Sequence, residues 1–485
     1  MNPLLLTDGY KLDHRRQYPE GTSLVYSNWT PRKSRIEGID KVVLFGLQYF
    51  IKKYILEDFE NYFFKQPKEK VVAEYRRRVN NYLGENQVGT KHIEDLHDLG
   101  YIPMVIKALP EGSSVPVRVP MFTMYNTIPE FFWLTNYFET LVSAAIWMPC
   151  TSATIAKQYR KILDKYAEQT SSVPAMVEWQ GHDFSMRGMA GIEAAVSSSA
   201  GHLLSFTGTD TIPAIDFLEK YYNADSDKEL IGGSVSATEH SVMCMGTIED
   251  ELGTFRRLVC DVYPKGIVSI VSDTWDLWKV LTEYLPKLKS EIISREGKVV
   301  VRPDSGDPVD IICGNLNGKS EVERKGVIEL LWDTFGGSTN DKGYKELIPQ
   351  IGAIYGDSIT IDRATQICER LKTKGFASTN IVLGIGSFTY QYNTRDTFGF
   401  AMKATYGEVN GIGREIFKDP ITDDGTKKSA KGLMKIVEKD GNYTLKDQVG
   451  WEEEKTGALR EVFKDGQLII DQSLQEIREK VKSNN

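Results

Sequence analysis

The stretch Lys298 to Pro308, KVVVRPDSGDP, constrains the fold more than any other. Three consecutive valines leave no polar face, which predicts a strand buried on both sides, as in a parallel sheet. The strand stops abruptly in Arg302, Pro303, Asp304, Ser305, Gly306, Asp307 and Pro308, so a guanidinium, two carboxylates and a hydroxyl gather at its carboxyl end. In parallel α/β folds ligands sit at that end. A single Asp-Ser-Gly ordinarily serves only the backbone of a turn. Here the same event recurs.

Leu203 to Phe206 runs into Thr207, Gly208, Thr209 and Asp210, and Ile267 to Val271 into Ser272 and Asp273. Ile351 to Tyr355 ends in Gly356 and Asp357, and Ile381 to Leu383 in Gly384, Ile385, Gly386 and Ser387. Each run precedes a plausible helix. The clearest is Ile361 to Lys374, with an apolar stripe of Ile361, Ala364, Ile367, Cys368 and Leu371 and with Gly375 as its C-terminal cap. An open doubly wound sheet or a barrel would collect such turns on one rim. Convergence of five loaded turns favours an α/β class with an irregular β/α barrel-like domain.

At 485 residues the chain exceeds one ordinary core, and a barrel takes roughly 250 residues. A net charge of -8 argues against nucleic acid held by bulk attraction, yet permits a local cationic pocket for a phosphorylated small molecule. The cysteines Cys150, Cys244, Cys260, Cys313 and Cys368 are scattered and odd in number, which suits reduced thiols in a cytoplasmic protein. The apolar window Phe131 to Pro149 carries Asn136 and Glu139 and reads as a buried helix; no membrane partner is expected.

Along the chain, residues 1-176 read as α+β. Thr7 to Arg35 is rich in aromatic and basic residues, either an exposed tail or a cover for a pocket on this or another subunit. Strand candidates Pro103 to Leu109, Val115 to Val119 and Thr123 to Asn126 are punctuated by prolines, which predicts short antiparallel edges. Ile128 to Ala145 and Thr151 to Gln169 read as two long helices. Residues 177-394 carry the βα pattern. Residues 395-485 turn β-rich, with hairpins at Asp440-Gly441 and Asp465-Gly466 and a last helix capped by Ser473 and Glu476. The two chain ends are expected to join in one flanking α+β domain.

Among candidate chemical groups, Phe184 and Arg187 lie in GHDFSMRGMAG, where a ring could stack on a planar ligand and a guanidinium hold a phosphate. His240, beside Glu239 in SVSATEHS, is a candidate for proton or phosphoryl transfer, weighed evenly against a structural histidine. The histidine spacing disfavours zinc. No phosphate-loop or dinucleotide fingerprint is present, although Gly384 to Ser387 could offer backbone N–H groups to a phosphate. Asp423-Asp424-Gly425-Thr426 reads as a solvated turn, and Arg395 and Lys403 as ordinary surface cations.

Taken together, TDGYKLDH, FGLQY, HDFSMRG, FTGTDT, SVSATEHS, VSDTWD, VRPDSGDP, GDSI, TRDTFGFAMK and FKDP, in that order over nearly the whole chain, resemble the nicotinamide phosphoribosyltransferase family of type II phosphoribosyltransferases. The resemblance implies transfer of the 5-phosphoribosyl group from phosphoribosyl pyrophosphate to nicotinamide, with Mg2+, in NAD salvage. It implies that Phe184 and Tyr10 sandwich the pyridine, Tyr10 coming from the second subunit of a homodimer. Asp210 would accept from the carboxamide and Arg302 donate to it, with Asp304 and Ser305 at ribose and magnesium-linked positions. Arg187, Gly356, Asp357 and Gly384 would hold the ribose-phosphate end, and Arg32, Arg395 and Lys403 phosphate across the dimer interface. His240, with Asp273 and Glu239 beside it, matches a histidine phosphorylated during accompanying ATP hydrolysis. Magnesium is expected to be held mainly through substrate phosphates.

Asp210 also discriminates: facing an anionic carboxylate it would bury two like charges, so nicotinate is the alternative substrate. Ala401, Ser185-Met186 and Tyr355 depart from the family pattern. A binding protein that kept the fold without catalysis is the rival class, against which the presence of His240, Asp304 and Arg302 counts.

Overall fold

The structure, a computed structural model, describes residues 1–356, 358–418 and 430–483. Asp357, the expected turn Asp423 to Thr426, and Asp419 and Pro420 of FKDP lie outside the described residues. The chain forms two compact units, one of Met1–Thr154, Phe217–Ala224 and Asn393–Asn485, the other of Ile155–Asp216 and Asp225–Tyr392.

In the first unit, a seven-stranded antiparallel sheet interleaves both ends of the chain. Its order is Ile412–Glu415, Ala401–Val409, Thr22–Thr30, Phe122–Asn126, Met104–Ala108, Arg460–Lys464 and Gln467–Leu468. Tyr26 and Trp29 on the interior strand Thr22–Thr30 are fully buried; Trp29 stacks between Phe122 and Phe400. Met104–Ala108 and Phe122–Asn126 are therefore interior, not edges. The prolines that flank them lie outside their ladders, so no sheet donor is lost. Of Val115 to Val119, Val115 and Pro116 pair with Val42 and Lys41 in a two-stranded antiparallel ribbon, a short edge as expected.

Both expected hairpins form on two-residue loops. Lys439 pairs with Asn442 across Asp440-Gly441, and Lys464 with Gln467 across Asp465-Gly466. All four loop residues have positive φ, the geometry that matches the strand twist. The Ser473–Glu476 box caps Leu474–Ser483. The two helices expected around Pro149 are one, Glu139–Thr170. Ile146, Met148, Cys150 and Ala153 are all buried, and that packing outweighs the donor the proline lacks.

The second unit is built on a seven-stranded parallel sheet, ordered Gly208–Thr209, Gly181–Asp183, Ile381–Ile385, Ile351–Tyr355, Glu296–Arg302, Lys265–Val271 and Ser236–Ala237. A parallel bridge joins Gly208 to Gly233, three residues before the other edge strand, so the sheet curls round on itself as a barrel-like wall. Val299 and Val301 are buried on its outer side, while Lys298, Val300 and Arg302 alternate onto the inner side and line a cavity. The apolar run Leu203 to Phe206 is not a strand. It closes the helix Ile192–His202, Ser205 and Phe206 donating back to the His202 carbonyl. The helix Ile361–Thr373 buries Ala364, Ile367, Cys368 and Leu371, and Gly375 follows with φ +79°.

Candidate active site

The carboxyl ends of these strands are tied by backbone bonds that fix the rim. Phe184 N–H donates to the Ile385 carbonyl, Asp210 N–H to that of Asp183, Ser272 N–H to that of Arg302 and Gly356 N–H to that of Pro303, at 3.0 to 3.2 Å. Under the rim lies a cavity of about 310 Å³, within the small-molecule range, whose lining includes Phe184, Asp210, Arg302, His182, Ser234 and Ser269. Its walls are otherwise largely apolar: Val235, Ile267, Val300, Ile354 and Val382.

The Arg302 guanidinium lies over the Phe184 ring, and its Nε is buried with no hydrogen-bond partner. Gly384 backs the ring from the adjacent strand. A methyl there would stand 2.7 Å from Phe184 Cδ2, so only glycine lets the ring settle. Asp210 accepts from His182 Nε2 at 2.8 Å and Ser234 Oγ at 2.6 Å, both on Oδ1. Burial opposes its charge, but these two donors, with the His182 and Arg302 charges, hold its carboxyl below the usual range. Three of the expected groups, Phe184, Asp210 and Arg302, thus share one cavity.

Beneath them, Asp183 is fully buried and accepts from Ser185 N–H and hydroxyl on Oδ1 and from the Thr209 and Thr211 hydroxyls on Oδ2. Burial raises its pKa, yet neighbouring His202 and these donors bring it below the ordinary value. This network anchors the turns that carry Phe184 and Asp210.

A second group of side chains sits on the rim. His240 Nε2 lies 3.2 Å from Asp304 Oδ1, and its Nδ1 3.2 Å from Thr274 Oγ1. Asp273 Oδ2 accepts from Asp304 N–H, Ser305 N–H and Ser305 Oγ at 2.5 to 2.9 Å. Tyr355 Oη donates to the Gly306 carbonyl and pins the same turn. Asp273 Oδ1 is buried without a hydrogen-bond partner, and single ligand atoms of His240, Asp273 and Asp304 lie within 4.8 Å of one another. The Asp273 and Asp304 carboxylates, the first with an orphaned oxygen, suit a hard divalent cation, and fall short of the six oxygens Mg2+ takes. Glu239 instead accepts from Ser241. Gly356 abuts this cluster, since a methyl on it would lie 3.2 Å from Asp304 Cβ. Arg187 is exposed.

Tyr10, Arg32, Arg395 and Lys403 belong to the other unit. Tyr10 is 61% exposed. Arg32 donates to the Gly399 carbonyl, Arg395 approaches Asp396, and Lys403 lies opposite Asn28. The sequence reading gave no role to His182, Ser234 or Ser269, whose buried hydroxyl has no partner. The parity of Ser269 on its strand was the available signal; the His182 and Ser234 contacts join turns distant in sequence.

Residues 179–467 match the nicotinate phosphoribosyltransferase family, and residues 2–99 the N-terminal domain of nicotinamide phosphoribosyltransferase. A nicotinamide phosphoribosyltransferase of Acinetobacter baylyi is 54% identical over 99% of this chain and 97% of its own. The chain belongs to the nicotinamide phosphoribosyltransferase family. Other members named for that activity, from Mycoplasma pneumoniae and Xanthomonas campestris, are 37% and 32% identical, covering 88% and 98% of this chain and 94% and 97% of their own. The fold of this family member is also that of a nicotinate-nucleotide pyrophosphorylase from Pyrococcus furiosus, at TM-score 0.60 and 13% identity over 99% of this chain and 95% of that one. Human nicotinic acid phosphoribosyltransferase shares it at TM-score 0.54 and 14% identity, over 99% and 93%.

Proposed function

We propose that this protein transfers the 5-phosphoribosyl group of phosphoribosyl pyrophosphate to nicotinamide, giving nicotinamide mononucleotide and pyrophosphate. The observation that carries this reading is the single cavity in which an anionic Asp210 and a cationic Arg302 with a free Nε both flank the Phe184 ring. A neutral carboxamide has an N–H for the first and a carbonyl for the second. Nicotinate offers only a second negative charge to Asp210, which is costly at a half-buried site.

In this reading Phe184 stacks on the pyridine and directs its ring nitrogen toward the rim, with Tyr10 of a second copy on the opposite face. The nitrogen's lone pair forms the new bond to the anomeric carbon as the bond to pyrophosphate breaks. Positive charge develops on the ribose, and Asp304 with the Asp273–Ser305 turn stabilises it. Arg187, Gly356, Asp357 and Gly384 hold the ribose-phosphate end, and Arg32, Arg395 and Lys403 contact phosphate across the dimer interface. Mg2+, held by Asp273 and Asp304 together with substrate phosphates, would neutralise the departing pyrophosphate.

His240 is the acceptor for the γ-phosphoryl of ATP. Asp304 accepts from the Nε2 N–H, so Nδ1, beside the Thr274 hydroxyl, carries the lone pair that attacks the γ-phosphorus as its bond to the ADP oxygen breaks and ADP leaves. A homodimer belongs to this reading, with the exposed Tyr10 ring available to a second copy. Among the described residues no helix is long and apolar enough to cross a membrane, in keeping with a cytoplasmic enzyme. Pyrophosphate release measured with nicotinamide, nicotinate and quinolinate tests the reading: release with nicotinamide above the other two is expected, and preference for either acid overturns it.

A further inference from the structure

Two opposite charges that face one cavity tend to neutralise each other. Asp210 feels the Arg302 charge, and a carboxylate free to rotate would swing toward the guanidinium and pair with it, leaving neither to read a ligand. No such ion pair forms among the described residues. Two donors hold Asp210 back: His182 Nε2 and Ser234 Oγ both grip Oδ1, while Oδ2 has no hydrogen bond among the described residues.

The His182 ring is itself held. The residue is 7% exposed and packs on Phe184 with ring centroids 4.5 Å apart. Gly208 presses its far edge so closely that a methyl there would lie 2.7 Å from Nδ1. One imidazole thus touches both the aromatic platform and the carboxylate, with its donor nitrogen facing the latter.

Resting on the proposed function, we infer that His182 is a positioning residue for substrate selection: with Ser234 it keeps Asp210 from pairing with Arg302 and presents Oδ2 to the carboxamide N–H. It does not touch the reacting atoms. The distinction between a neutral amide and an anionic acid therefore depends on a side chain that acts through Asp210.

The test compares His182→Leu, His182→Gln and Ser234→Ala in the full chain, with KM and kcat for nicotinamide, nicotinate and phosphoribosyl pyrophosphate measured separately. Loss of a donor to a charged acceptor predicts a KM for nicotinamide raised about 10- to 100-fold in His182→Leu, with KM for phosphoribosyl pyrophosphate unchanged and discrimination against nicotinate reduced. Glutamine places an N–H near the position of Nε2, so His182→Gln restores most of the nicotinamide KM. Ser234 is exposed, so Ser234→Ala folds and shifts the same KM in the same direction, which keeps the test open if His182→Leu does not fold. A nicotinamide KM within twofold of the wild type in both His182→Leu and Ser234→Ala overturns the inference, as does a loss shared equally by phosphoribosyl pyrophosphate and not rescued by glutamine. If His182→Leu does not fold, an unmoved Ser234→Ala overturns it. A wild type that does not use nicotinamide rejects the functional reading instead.

Discussion

The guanidinium of Arg302 stands over the ring of Phe184, 6.0 Å from its centroid, and this pairs a planar fork of donors with a flat stacking surface. A ring resting on Phe184 brings its substituent within reach of that fork. Arg302→Lys keeps the charge and loses the planar geometry. The expected outcome is a KM for nicotinamide raised about tenfold, an effect of one hydrogen bond to a charged group, with folding unchanged; steady-state kinetics and thermal melting read the two.

Asp210→Ser removes the anion that would repel nicotinate and leaves a hydroxyl able to donate or accept. Nicotinamide turnover is expected to fall and nicotinate turnover to rise, narrowing the preference by about 10- to 100-fold, as for loss of one hydrogen bond to a charged group. Competition between the two substrates at fixed phosphoribosyl pyrophosphate measures it.

His240→Ala removes the nitrogen assigned to phosphoryl capture. Incubation with labelled ATP is expected to leave acid-labile, base-stable phosphate on the wild type and none on the variant. Label of that stability persisting in His240→Ala would move the phosphorylated residue elsewhere.

In the antiparallel unit, the buried Glu111 carboxylate accepts from Gly46 N–H at 3.1 Å and Gln48 N–H at 2.6 Å, at the start of a helix. Burial pushes its pKa from 4.5 up to about 7, beyond what those backbone donors recover. The folded chain therefore binds this proton more tightly than the unfolded chain, so the stability this carboxyl contributes is fully present below about 4.5 and is lost as pH rises through about 7. The loss is on the order of 3 kcal/mol. Melting curves from pH 5 to 8 should show Glu111→Gln losing less stability over that range than the wild type.

The parallel sheet was legible because valine and isoleucine runs that end in charged turns carry their signal locally: Ile351–Tyr355 and Lys265–Val271 appear nearly where expected. Gly181–Asp183 and Ser236–Ala237 were missed. They are short, and their pairing depends on neighbours far along the chain. The same holds at the site. Phe184, Asp210 and Arg302 stand in local motifs, whereas the grip of His182 and Ser234 on Asp210 joins three separate turns that only the closed sheet assembles. Pro149 misled for the opposite reason, since its local helix-breaking tendency is overridden by burial on either side.

The interleaved antiparallel sheet carries a consequence for how the molecule is made. Asn28 finds its neighbour Lys403 375 residues later, so during synthesis the strand Thr22–Thr30 waits, unpaired on one edge, until Lys403 has left the ribosome. A nascent chain halted before that point exposes the edge that carries Tyr26 and Trp29, and chaperone capture should be strongest there.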